Sequence, residues 1–352
     1  MDTKLKRYQE LDALRGIAAL FVVLFHFTLN RPEAEYGLKL GVTGVDLFFI
    51  ISGFVIFMSL TNINSSKEFI VNRVSRLYPT YWASVTFAFI LIIVSSKFQL
   101  NHFSIVQYLG NLTMFQYYLK IPDIDGPYWT MIIEMIFYIG ILILFHFKLT
   151  KFLNPICLSL IIITVFLTSF YFNNIFVKRL LAYIPLLQFL PLFFAGITFY
   201  RIYTSQTFLK KNYFFIALCF VCQALLYNYS EKTKLYISQI EYTLMLSLYF
   251  LLFTLFCNKK LKFIITKTSL FLGKISFALY LIHQKIAVIF IIPFLVNYLN
   301  VNFWVAAILI TLPIIIGLAT IITYYIEIPL SKKLKHKLGK ICGVRLNPTQ
   351  NN

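Results

Sequence analysis

The chain has 352 residues, of which 59% are hydrophobic and 18% aromatic but only 13% charged, with a mean hydropathy of +0.78. That composition excludes a water-soluble globular domain and points to an all-α, polytopic membrane helix bundle. The formal net charge of +19 does not call for nucleic acid, because the basic residues are scattered over short segments between apolar runs with no binding module around them.

Hydropathy, interrupted by charged and Pro/Asn breaks, predicts about ten spans near 11–30, 41–61, 80–98, 127–147, 153–173, 184–200, 212–228, 238–257, 271–296 and 304–327. With both termini cytoplasmic and span ends taken with their loops, the inner segments hold 22 of the 32 Lys and Arg residues and the outer segments 8. Arg15 and Lys285 fall within spans. The bias fixes the orientation by the positive-inside rule, and most of the net charge serves it. Acidic residues interrupt the basic N-terminus, the first apolar stretch is long, and no small-residue cleavage site follows, so a retained first span is expected rather than a signal peptide. One domain is expected over 8–330, with a basic cytoplasmic tail over 331–352.

In the first span, LDALRGIAALFVVLFHF, Arg15 and His26 stand eleven residues apart. On a helix that spacing returns to nearly the same face, with about 16 Å of rise between the two. Ionisable side chains within a bilayer cost about 3 kcal/mol each on insertion scales, so a pair on one stripe points to function. A snorkelling arginine and a packed histidine are the bland alternative.

The second span, GVTGVDLFFIISGFVIF, carries Asp46, Ser52 and Gly53. Asp46 comes out at the same depth as His26, about 8 Å outward of the bilayer centre, which predicts an Asp46–His26 pair that fixes the imidazole. Asp46 as a helix cap is the alternative. Ser52 and Gly53 near the midplane permit close helix approach or leave room for a thin ligand. The following inner loop, KEFIVNRVSRLYPTYW, sets Arg73 and Arg76 three apart, two guanidinium forks suited to phosphate, although the positive-inside rule alone populates such a loop.

Residues 99–126 suit an interfacial or re-entrant segment on the outer side. Trp129, at the outer end of the fourth span, suits a sugar ring or an interface anchor, and Glu134 one to two turns deeper demands a partner or water. Cys157, Cys219, Cys222 and Cys257 fall in or beside apolar helices, and the C-x-x-C pair lacks a second pair or a nearby histidine, so no metal site is expected. His283 lies mid-span beside Tyr280. Lys285, unexpected in a span, either pairs with Glu241 or Glu327 or reaches a polar cavity. His102, His146 and His336 carry no assignment.

Arg15 with His26, GVDLFFIISGF, RVSRLYP, YWTMIIE, ALYLIH and YYIEIP occur in this order. Together they resemble the acyltransferase-3 family of bacterial integral membrane O-acyltransferases, over residues 8 to 330. The resemblance implies a cytoplasmic acyl-CoA donor, acetyl-CoA foremost, and a glycan acceptor such as O-antigen, capsule or exopolysaccharide, in the bacterial cytoplasmic membrane, with no permanently bound cofactor. It makes His26 the essential histidine, Arg15 its partner and Arg73/Arg76 the family's arginine pair. Asp46 joins them as a catalytic candidate, Ser52 and Gly53 as donor-binding candidates, and Trp129, Glu134 and His283 as substrate-binding candidates. Many relatives continue into an extracytoplasmic hydrolase-like domain, which is not expected here. A glycan or lipid flippase would also have ten spans, but it should show inverted repeats and Gly/Pro-broken helices, and the sequence has neither. A glycan polymerase would need a large basic outer loop.

Overall fold

A computed structural model of the protein describes residues 8–29, 31–36, 38–96, 104–205 and 208–344. Among these residues the chain is helical, with no strand. The helices are α1 (Gln9–Phe27), α2 (Gly44–Leu60), α3 (Ser66–Ser96), α4 (Ile105–Asn111), α5 (Trp129–His146), α6 (Leu153–Tyr171), α7 (Ile175–Tyr183), α8 (Leu190–Thr204), α9 (Leu209–Leu226), α10 (Glu231–Lys234), α11 (Gln239–Cys257), α12 (Lys267–Gln284), α13 (Leu312–Ile321) and α14 (Ile328–Ile341). Wider π-helical turns carry α12 on to Tyr298 and join Val305–Ile341 into one helix of 37 residues.

Among the described residues, eight helices are long and apolar enough to cross a membrane. Two further expected spans correspond to α1 and α8. The first carries Glu10, Asp12 and Arg15, and the second has only 15 residues. Twelve of those 15 are buried, since α8 is apolar on every face and sits among α2, α6, α9 and α11. Where polar residues precede a span they set its start: Ser238 and Glu241 form a capping box before α11, and Thr266 and Ser269 do so before α12.

The third span corrects the sequence expectation. The segment taken for an inner loop is helical from Ser66, so Arg73 and Arg76 lie on α3 itself, and Pro79 is accommodated inside that helix. In the stretch 99–126, α4 has seven residues, too few to span a bilayer, and Asn111 folds the following loop back by accepting from Ile124 N and donating to Pro122 O. Residues 97–103, with His102, lie outside the described residues.

Two close crossings organise the bundle. A Cβ added to Gly53 would run into the carbonyl of Phe193, and one added to Gly196 into the carbonyl of Ile50, so α2 and α8 cross backbone to backbone. Gly53 is thus a packing residue rather than room for a ligand. The second crossing joins α1 to α12. A Cβ on Gly16 would stand 2.5 Å from Gly273 N, and one on Gly273 would run into the carbonyl of Asp12. Ten residues further along both chains, His26 meets His283. The two helices therefore run parallel, in step, over about 15 Å.

Glycine-to-alanine changes test these crossings against an internal control. Gly16→Ala and Gly273→Ala should each lower stability by about 1–3 kcal/mol through overpacking, seen as a lower melting temperature in detergent. Gly140 and Gly317 have nothing within 4 Å of an added Cβ, so alanine there should leave stability unchanged or raise it by about 0.5–1 kcal/mol. Equal effects at all four positions would count against the crossings.

Candidate active site: an arginine-lined cavity and a histidine pair

One stripe of α2, from Val45 through Phe48 and Ser52 to Ile56, faces a cavity of about 130 Å³. Arg15 of α1 reaches it from one side, and Arg73 and Arg76 of α3, three residues apart on one face, from another. On α5, Glu134 and Tyr138 are one turn apart and both line it; α12 adds Lys274, Ser276 and Tyr280, and Glu327 closes it. Four cationic and two acidic side chains thus share one space, a formal excess of two positive charges.

Glu134 is the electrostatic centre. Its Oε1 accepts from Ser52 Oγ at 2.8 Å and from the Tyr138 hydroxyl. Arg15 and Arg73 both lie close enough to feel its charge, and Arg76 is close enough to oppose both. Arg73 stands 5.7 Å from the Phe69 ring and 5.8 Å from the Tyr138 ring, and its buried Nε has no hydrogen-bond partner among the described residues. An orphaned guanidinium donor in a cation-rich cavity suits an anionic ligand with several acceptor oxygens. Lys274 lies 4.0 Å from the Tyr324 ring centroid.

The histidines lie beyond the cavity, one turn of α12 past Tyr280. The Tyr280 hydroxyl pairs with Thr130 Oγ1 at 3.0 Å, between the cavity and the imidazoles. His283, fully buried, has Nδ1 2.7 Å from Tyr280 O and Nε2 3.0 Å from His26 Nδ1. His26 Nδ1 also lies 2.9 Å from Val22 O. A carbonyl can only accept, so both Nδ1 atoms carry the proton and His283 Nε2 accepts from His26. The tautomers follow from the carbonyls. They leave His26 Nε2 as a free lone pair, and it has no partner among the described residues.

Asp46 is not part of this pair. It hydrogen-bonds Tyr242, which accepts from Gln223 Nε2 at 3.1 Å, so the carboxylate ties α2 to α9 and α11. The geometry explains the failed expectation. Gly44 is the residue of α2 that faces α1, against Ala18 and Val22, and Asp46 lies two residues on, about 200° round the helix. The depth differs as well: α2 runs antiparallel to α1, with Gly41 against Phe21 and Phe25 and Gly44 against Ala18 and Val22, so Asp46 sits about two turns inward of His26.

Lys285 also departs from expectation. Its Nζ donates to Ile124 O at 2.7 Å and its backbone N–H to Asp125 Oδ2 at 3.2 Å, while Glu241 pairs with Lys39 at 3.2 Å. Asp125 thereby fastens the loop before α5 to the turn that follows His283, and its burial pushes the carboxyl up to about 7. Trp129 packs half-buried with its ring centroid 5.9 Å from that of Phe189, outside the cavity lining. His146 Nδ1 lies 3.2 Å from Ser66 Oγ. The sequence assigned no role to Tyr138 or Lys274. Tyr138 was legible as the neighbour of Glu134 four residues on, whereas Lys274 had only its place at a span end.

The family model described as an acyltransferase domain matches residues 8–324. The chain is 26% identical over 285 residues to a protein of Acidianus two-tailed virus described as an acetyltransferase, covering 77% of this chain and 80% of that one. Nodulation protein 10 of Rhizobium leguminosarum bv. viciae is 27% identical over 154 residues, 36% of this chain and 41% of that protein. A Bacillus subtilis protein described as a peptidoglycan O-acetyltransferase is 29% identical over 147 residues, 37% of this chain but 22% of that protein. No solved structure matches the chain.

If Glu134 balances the arginines, Glu134→Gln should lower the melting temperature at low ionic strength, and inorganic pyrophosphate should restore part of the loss by supplying the missing negative charge. An unchanged melting temperature would show that the arginines do not depend on this carboxylate.

Proposed function

The chain belongs to the acyltransferase-3 family, and on that premise we propose that it moves an acetyl group from acetyl-CoA on the cytoplasmic side to a glycan hydroxyl on the outer side, with His26 as general base. The enzyme is a multi-pass membrane acyltransferase. One observation carries the finer statement: the inner end of the cationic cavity, at Arg15 and Gly273, and the histidine pair are held on the same two parallel helices with about 15 Å of helix rise between them, and the cavity reaches from the first to Tyr280, one turn short of the second. That interval is of the order of a pantetheine arm.

On this proposal the donor phosphates rest on Arg73 and Arg76, and the arm runs past Ser52 toward Tyr280, with the thioester beyond it. The acceptor hydroxyl approaches His26 Nε2 from the outer side. Nε2 removes the hydroxyl proton, the oxygen attacks the thioester carbonyl, and the tetrahedral intermediate collapses with loss of the thiolate, which is reprotonated as the thiol. His283 accepts from His26 Nδ1 and steadies the imidazolium that forms.

Ser52 supports direct transfer over an acyl-enzyme. Its hydroxyl is committed as a donor to Glu134 at 2.8 Å, and neither histidine is bonded to it. A serine nucleophile needs an adjacent base to take its proton. The acceptor belongs to the class of surface glycans, peptidoglycan among them, that the name of the Bacillus subtilis relative suggests. The host membrane is then a bacterial cytoplasmic membrane.

His26→Ala should lower acetyl transfer by about 10²–10⁴-fold while the protein still inserts and accumulates. At position 283 the discriminating contrast is Gln against Leu. The glutamine carbonyl can still accept from His26 Nδ1 and should keep more activity, with a shifted pH profile, while Leu should approach the His26 variant. Normal acylation by His26→Ala would remove the base from the mechanism.

The donor clamp is tested separately. The double variant Arg73→Lys, Arg76→Lys keeps both charges but loses the bidentate forks, so it should raise KM for acetyl-CoA about tenfold or more with a smaller effect on kcat. Unchanged KM would leave these arginines with a topological role only, since the positive-inside rule counts charge and not shape.

A further inference from the structure

A second cavity, of about 270 Å³, lies away from the first, among the start of α6, the end of α8 and the start of α9. Arg201 and Lys211 are its cations, and no carboxylate lines it. Arg201 spends an N–H on Asn154 Oδ1 and lays its guanidinium 4.8 Å from the Phe57 ring centroid. Among the described residues it has no acidic partner. A guanidinium has five donors, so most of them remain open to the cavity. Asn212 adds an independent sign. It is only 8% exposed, it lines the same cavity, and its side chain makes no hydrogen bond among the described residues.

A half-buried guanidinium without a counterion is costly unless an anion completes it, and the Asn212 amide, open to the same cavity, can add a hydrogen bond to such a ligand. The lining offers donors from Arg201, Lys211, Asn154 and Asn212 and hydroxyls from Thr204 and Ser205, with two cations and no carboxylate. A cation would find no negative charge to bind, whereas a phosphate presents several acceptor oxygens, offsets the two cations and matches the guanidinium fork. The location agrees. Three helix ends meet here, on the face to which the positive-inside rule assigns the inner leaflet, where headgroups and soluble phosphate esters both have access. Phe208, 78% exposed, stands at the rim as an apolar contact for a lipid.

We propose that this cavity is a phosphate-binding site, taking the phosphate of an anionic lipid headgroup or of a soluble phosphate ester. It is separate from the donor clamp and does not depend on the transfer mechanism.

The test uses delipidated full-length protein in a non-ionic detergent, with thermal unfolding followed on titration with short-chain phosphatidylglycerol, inorganic phosphate or 3′,5′-ADP. At least one probe should give a saturable rise in melting temperature. Arg201→Gln, and separately the milder Lys211→Gln, should raise the half-saturating concentration about tenfold, one charge-assisted contact's worth. The rise should survive in Arg73→Lys, Arg76→Lys. A response to phosphatidylglycerol alone assigns the site to lipid, and a response to 3′,5′-ADP and phosphate assigns it to a soluble ester. The proposal is overturned if no probe raises the melting temperature of the parent. It is equally overturned if both single variants respond with unchanged midpoints, or if the response disappears only with the Arg73/Arg76 pair.

Discussion

The site depends on the contact between α1 and α12, which only two glycines make possible. With Gly16 against Gly273, the helix backbones lie close enough that everything ten residues further on is fixed in relative height. A methyl group at either position would push the helices apart at one end and swing the imidazoles out of reach at the other. The parallel sense of the contact agrees with the orientation the charge distribution implies, since the first and ninth spans both run outward. Segments far apart in sequence are thereby made one ladder, with guanidinium groups at the foot and imidazoles at the head.

Electrostatics then decides what the foot of the ladder can hold. Three arginines in a mainly apolar bundle would be prohibitive alone. Glu134 and Glu327 compensate part of the charge, and the aromatic faces of Phe69, Tyr138 and Tyr324 lie beside Arg73 and Lys274. The compensation is incomplete, and an incomplete balance is what an anion-binding site requires, because a fully paired cluster would have nothing left for a ligand. At the head of the ladder the logic reverses. Among the described residues His26 and His283 have carbonyls and each other as hydrogen-bond partners and no carboxylate, which leaves His26 Nε2 open.

The sequence made one half of this arrangement legible and hid the other. Arg15, Ser52, Arg73, Arg76 and Glu134 were each conspicuous as polar residues in or beside apolar runs, and they do share one cavity. Period and composition reveal such residues because burying them is costly wherever they face. Partnership was less visible. Helix rise alone put Asp46 at the depth of His26, but the register and facing of α2 against α1 set it further inward and turn it toward Tyr242, and spacing within one span carries neither. The true partner of His26 sits 257 residues away, a relation that no local pattern carries. Gly53 and Lys285 were ambiguous for a related reason, since a small residue or a cation in a span is defined by the neighbouring backbone, here that of Phe193 and of Ile124. The helical start of α3 at Ser66 was obscured by charged residues that read as loop, although Glu68 is buried and Arg73 and Arg76 turn into the cavity.

On the proposed mechanism, donor and acceptor meet from opposite sides of the membrane along this ladder. Proteoliposomes with the enzyme in one orientation, labelled acetyl-CoA confined to the face bearing Arg73 and Arg76, and a glycan acceptor trapped on the other face test it most directly. The account predicts labelled ester on the trapped acceptor, with intact vesicles and no release of acetyl-CoA across the bilayer. Ester formed only when donor and acceptor are supplied on the same face would contradict it.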